Sequence, residues 1–173
     1  MTWNDQFLQL YRKCLELYRG GNTDFQSYYE EEDLAFLASI GYKPRELFDF
    51  VEDFGDRGEP TESTALLIAA VRRDYFLTMQ NGESSSIELG SNDIPSRDEK
   101  LDGIPYFPRI LAKARAKLRG ELDPNLMFCC GGDCSFFKNN GNISPADFLR
   151  NTWASGDDDA HIIEFLRSQK ASS

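Results

Sequence analysis

Residues 10–41, LYRKCLELYRGGNTDFQSYYEEEDLAFLASIG, and residues 110–141, ILAKARAKLRGELDPNLMFCCGGDCSFFKNNG, align at a constant offset with no gap. Under that offset Lys13, Arg19, Gly20, Asp33, Phe36 and Gly41 meet Lys113, Arg119, Gly120, Asp133, Phe136 and Gly141, and after a one-residue insertion Pro44 meets Pro145. The punctuation agrees along with the identities. Each copy runs from a helical stretch ending in Gly, through a polar loop and a short apolar run ending in Gly, to a Pro suited to opening a further helix. Repetition of one supersecondary unit at a fixed spacing is the mark of a duplicated architecture. The chain is therefore expected to be all-α, with two related four-helix units.

Working outward, Phe7, Leu10, Tyr11, Cys14, Leu17 and Tyr18 recur at spacings of three and four, which predicts an amphipathic helix over residues 4–19. Glu30 to Asp33 place acids at the positive end of a short helix carrying Leu34, Phe36, Leu37 and Ile40. Pro44 opens a third helix with Leu47, Phe48 and Val51 as its stripe, and Thr61 or Ser63 caps a fourth over residues 65–78. The second copy reads as helices over residues 106–119, near 134–138, after Ser144-Pro145, and after Asp157 to Asp159. No segment alternates with the period of two that marks a strand. Residues 80–104 are rich in Ser, Gly, Asn, Asp and Pro and predict a linker, loosest over 82–93, between a unit at 1–79 and one at 105–173.

A chain of 173 residues buries roughly 70% of the surface its unfolded form exposes, enough to stand without disulfides. No run of about 18 apolar residues is present to cross a membrane. Met1-Thr2-Trp3-Asn4-Asp5 lacks the basic and apolar regions of a signal peptide, so a cytoplasmic protein is expected. The net charge of −10 is unevenly placed: residues 24–62 hold twelve acids against three bases, whereas residues 108–120 hold Arg109, Lys113, Arg115, Lys117 and Arg119 and no acid. Such a basic helix more readily complements the acidic half of the chain, or of a twin subunit, than it binds nucleic acid.

One family resemblance emerges in the second half. Pro95-Ser96-Arg97, Leu101-Asp102-Gly103, Phe107-Pro108-Arg109-Ile110, Lys113-Ala114-Arg115-Ala116 with Gly120, Cys130-Gly131-Gly132-Asp133, and Gly141 followed by Phe148 occur in order. Residues 94–166 thereby resemble an uncharacterised bacterial family catalogued as domain of unknown function 5069. Its members usually carry Cys-Pro-Leu-Asp where this chain has Cys130-Gly131-Gly132-Asp133, and losing the Pro loosens the loop. The resemblance implies no activity and no catalytic residues.

Cys129, Cys130, Asp133 and Cys134 form the densest reactive cluster. Three readings are open for it. Cysteines are commonly small core residues. A thiol on a glycine-containing loop before a helix is also a candidate nucleophile, with Cys130 and Asp133 as the catalytic pair. Cys129, Cys130, Cys134 and His161 are metal-ligand candidates, although adjacent cysteines point apart and no second Cys or His pair follows. Arg109, Lys113 and Arg115 are anion-binding candidates, since Arg109 and Lys113 lie one turn apart, yet each can instead pair with an acid such as Asp133 or Glu52. Catalytic triads, phosphate-cradling glycine loops and zinc-protease helices are absent from the sequence, and no cofactor is expected. The leading expectation is a non-catalytic module that binds another protein, or itself as a homodimer, through Tyr28-Tyr29 and the acids beside them; the alternative is a thiol-dependent enzyme or a redox or metal sensor.

Overall fold

Thr2 starts the first helix. Its hydroxyl accepts the Asp5 amide at 3.3 Å while the Asp5 carboxylate accepts the Thr2 amide at 3.0 Å, a reciprocal cap. The helix that follows, α1 (Trp3–Arg19), buries Phe7, Leu10, Tyr11 and Cys14 of the predicted stripe, leaves its Leu17 and Tyr18 at the margin, and buries Leu15, which the stripe did not include. Gly21, at φ 89°, takes the left-handed turn after it; Gly20 stays right-handed at φ −73°. A 3-10 turn at Phe25–Tyr28 leads to α2 (Glu31–Ser39), α3 (Pro44–Arg57) and α4 (Glu62–Thr78), the last capped by Thr61. Helix α1 packs on α3 and α4, and α3 packs on the 3-10 turn and α4. Phe7, Leu37, Leu47, Val51 and Ile68 are fully enclosed there, but Leu34, placed by the sequence in the buried stripe of α2, is 44% exposed.

The computed structural model describes residues 1–172, and these fall into two compact units divided between Ser84 and Ser85. The division lies inside the expected linker, and its remainder, residues 85–104, belongs to the second unit. That corrects the linker boundary. Backbone pairing, which composition does not reveal, holds this stretch: the Leu89 amide donates to the Glu121 carbonyl at 2.7 Å, and the Asp123 amide returns to Leu89 at 3.1 Å. Ile94 is buried as well. Two short strands, β1 (Lys100–Leu101) and β2 (Ile104–Pro105), then pair antiparallel across Asp102-Gly103. Both turn residues have positive φ, 53° and 74°, as a two-residue hairpin demands. The sequence reading passed over these strands because two residues are too few to show alternation, although Asp-Gly is a hairpin signal.

Helices α5 (Phe107–Arg119), α6 (Gly131–Asn139), α7 (Pro145–Ser155) and α8 (Asp159–Ala171) complete the all-α second unit. Here α5 packs on α7 and α7 on α8, while β1 lies against α5. Rings of Phe107, Phe136, Phe137 and Phe148 make its centre, with Phe137 and Phe148 at 5.2 Å and Phe107 and Phe136 at 6.0 Å. Under the sequence offset α2 and α6 occupy equivalent residues. Gly41 and Gly141, which follow them, both have positive φ, and a Cβ at either would strike the fourth helix of its own unit, at Phe76 (2.5 Å) or Gln169 (2.7 Å).

Candidate functional site

Asp133 sits in the first turn of α6 with its side chain wholly enclosed, and Lys113, from the middle of α5, is only 2% exposed. Lys113 Nζ donates to Asp133 Oδ2 at 2.5 Å, the Cys129 amide donates to the same oxygen at 2.8 Å, and Tyr106 Oη donates to Oδ1 at 2.8 Å. Three donors, one of them cationic, offset the cost of burying a carboxylate. Asp133 thus lies inside the helix and anchors α5, the hairpin and the cysteine loop to α6.

Two backbone outliers frame this carboxylate. Tyr106 has φ 71° and Cys129 has φ 72°, left-handed conformations that side chains other than Gly, Asn and Asp rarely take. Strain of this kind persists only where the surroundings hold it, and it clusters at functional sites. The hairpin holds Tyr106, whose amide donates to the Glu99 carbonyl at 3.1 Å. Gly132 leaves room for the phenol, since a Cβ there would come within 3.0 Å of Tyr106 Oη. Burial, and then the charge of Asp133, push the Tyr106 phenol up in pKa, so it stays a proton donor at neutral pH.

The cysteines divide their roles. Cys129 and Cys130 point apart, as adjacent residues should. Cys129 Sγ lies 3.5 Å from Cys134 Sγ, and the Cys134 thiol donates to the Cys129 carbonyl at 3.4 Å. Cys130, at the N-terminal cap of α6, turns the other way and accepts from Lys113 Nζ at 3.5 Å. Cys129 is buried whereas Cys130 and Cys134 are partly exposed. The hydrogen bond to Cys134, together with burial and nearby negative charge, raises the Cys129 thiol well above its ordinary pKa. A cleft of about 420 Å³ opens beside the cluster, lined by Tyr106, Gly132, Phe136, Asn139, Asn140 and Lys170 among others.

The three anion-binding candidates are not brought together. Arg109 donates to the Pro95 carbonyl at 2.9 Å, Lys113 is held by Asp133, and Arg115 reaches Asp159 at 2.7 Å and the Gly156 carbonyl at 3.0 Å. Of the other cations on α5, Lys117 is buried and Arg119 pairs with Glu121 at 2.7 Å. His161 is exposed on α8. Among the described residues no group of three or more His, Cys, Asp and Glu side chains is disposed to hold a metal ion. In the first unit Lys13 Nζ meets Asp33 Oδ2 at 2.6 Å and the Glu30 amide donates to the same carboxylate at 3.0 Å, repeating the Lys113 pair, but with Glu30 in the place of Cys130 and Tyr29 in that of Cys129.

No protein-family model, curated protein or solved structure matches this chain. Two features escaped the sequence reading. Tyr106 was not singled out; the Asp102-Gly103 turn, which aims it back at α6, is the signal that marks it. The Cys129 and Cys134 contact was missed because their spacing of five is not a helical one, and it arises only because the left-handed Cys129 sits outside the helix.

Proposed function

We propose that the second unit is a thiol redox switch in which Cys129 and Cys134 pass between dithiol and disulfide. The observation that carries this reading is the 3.5 Å approach of the two sulfurs, a non-bonded contact that a shift of about 1.5 Å turns into the ~2 Å bond of a disulfide. Hydrogen peroxide is a sufficient oxidant. The partly exposed Cys134 sulfur attacks the O–O bond, giving a sulfenic acid and one water; Cys129 Sγ then displaces the sulfenic hydroxyl, which leaves with the Cys129 proton as a second water. Because the Cys129 thiol is raised in pKa, this resolving step accelerates with rising pH. Closing the bond moves Cys129, whose amide holds Asp133, so the redox state reaches Tyr106 and the cleft it lines.

Such a pair is reset by the thiols of a reducing compartment, which supports a cytoplasmic setting, and the family resemblance supports a bacterial one. The repeated Lys13–Asp33 and Lys113–Asp133 pairs support descent of both units from one duplicated ancestor. The test is thiol titration before and after peroxide. The unmodified chain should lose two thiols and regain them with a dithiol reductant, and Cys134→Ser should leave Cys129 titratable; retention of both thiols in the unmodified chain would overturn the reading.

A protein-binding or self-associating module is the second reading. Glu31 and Glu32 are exposed beside the 44%-exposed Leu34 on α2, a face that suits a cationic partner surface. Its aromatic component is withdrawn, because Tyr28 is buried against Phe48 and Tyr29 Oη is tied to the Pro44 carbonyl at 2.8 Å.

A further inference from the structure

Lys113 has a second neighbour that the ion pair with Asp133 does not explain. Its Nζ lies 3.5 Å from Cys130 Sγ, in a site where the amine is enclosed and the sulfur is partly open to solvent. A buried lysine aimed at a thiol is held in position for bond formation, since both partners are already ordered and little conformational freedom remains to be lost. The other two sulfurs of the loop face each other, so Cys130 alone addresses the amine.

We propose that Lys113 and Cys130 form a reversible covalent bridge, Nζ–O–Sγ, when the protein meets dioxygen. It uses the loop of the proposed dithiol switch but neither of that switch's sulfurs. Asp133 Oδ2, 2.5 Å from Nζ, takes a proton from the ammonium and leaves an amine lone pair beside the sulfur. One atom of dioxygen then joins nitrogen to sulfur, and the other leaves as water with one amine hydrogen and the thiol hydrogen. Nitrogen and sulfur each give up two electrons, and dioxygen takes all four. Two equivalents of a dithiol reverse the step, restoring amine and thiol and releasing the bridging oxygen as water. The bridge ties α5 to the start of α6 and removes Lys113 from Asp133, leaving that side chain with Tyr106 and the Cys129 amide.

The sequence makes the product easy to recognise. Trypsin cuts after Lys113, Arg115, Arg119 and Lys138, so all three cysteines of the loop fall in the peptide 120–138. A disulfide between Cys129 and Cys134 stays within that peptide and costs it two hydrogens. The bridge instead blocks cleavage at Lys113 and joins 110–115 to 120–138, with a gain of one oxygen and a loss of two hydrogens. The full chain, reduced and then held in dioxygen-saturated or anaerobic buffer, should yield the joined species only with dioxygen; a dithiol should abolish it and Cys130→Ser should prevent it. Recovery of 110–113 and 120–138 unjoined after dioxygen, whether or not the internal disulfide has formed, would overturn the bridge. So would a joined species that persists in Cys130→Ser.

Discussion

Lys113 and Lys13 occupy equivalent positions and make the same bond to equivalent aspartates, but in different media. The Lys113–Asp133 side chains are 2% and 0% exposed, whereas those of Lys13–Asp33 are 41% and 23% exposed. Removing one partner of a buried pair strands a charge in low dielectric, so Lys113→Met should cost about 3–5 kcal/mol. A solvent-screened pair contributes little, so Lys13→Met should cost under about 1 kcal/mol. Chemical denaturation of both variants checks this, and equal losses would mean the burial difference has no energetic weight. The thiols add a pH dependence. Burial pushes Cys14 up from an ordinary value of 9.0 to about 12, against a smaller opposing effect of its hydrogen bond to Tyr29. The folded chain therefore holds that proton where the unfolded chain releases it. The stabilisation is complete below pH 9 and falls by about 1.4 kcal/mol per pH unit per such thiol until about pH 12. Unfolding free energies that stay flat across this window would show Cys14 to be solvated. At this scale the sequence marked Lys113, Asp133 and the cysteines, but which partner each takes was beyond it, because Lys113 had Asp133 and Glu52 as equally plausible acids until α5 and α6 were oriented.

Helices were more legible than their contacts. Caps and periodicity at Thr61, Pro44, Pro145 and Gly120 placed the helix ends within a few residues, because those signals are local. Short elements fared worse. In α2 the predicted stripe included Leu34, which points outward, and β1 and β2 carried no periodic signal at all; nine residues allow more than one buried face, and two allow none to be read. The phenylalanines of the two short helices test the shared design. Phe36 and Phe136 are 7% and 5% exposed at equivalent positions of α2 and α6. Phe36→Ala and Phe136→Ala should each cost about 3 kcal/mol, read as a shift in denaturation midpoint. A loss below about 1 kcal/mol at either would separate the two helices in role despite their matching residues.

Over the whole molecule the all-α class was legible from helical periodicity, caps and the lack of period-two alternation, whereas the boundary between the units was not. Residues 85–104 read as linker because they hold few apolar side chains, yet backbone bonds through Leu89 and the Lys100 to Pro105 hairpin fix them in the second unit. Chemistry is distributed just as unevenly. The first unit has its Lys13–Asp33 pair and a single thiol, the enclosed Cys14, whereas the second has its Lys113–Asp133 pair and three, Cys129, Cys130 and Cys134. Under the proposed switch, redox response belongs to the second unit alone. Residue-by-residue alkylation in denaturant, after the native full chain has met peroxide and the oxidant has been removed, tests this most directly. Cys129 and Cys134, the former as enclosed as Cys14 in the native chain, should be protected and recovered with a dithiol, with Cys14 still reduced and alkylated; Cys129 and Cys134 alkylated without a dithiol, or Cys14 oxidised as fast as they are, would contradict it.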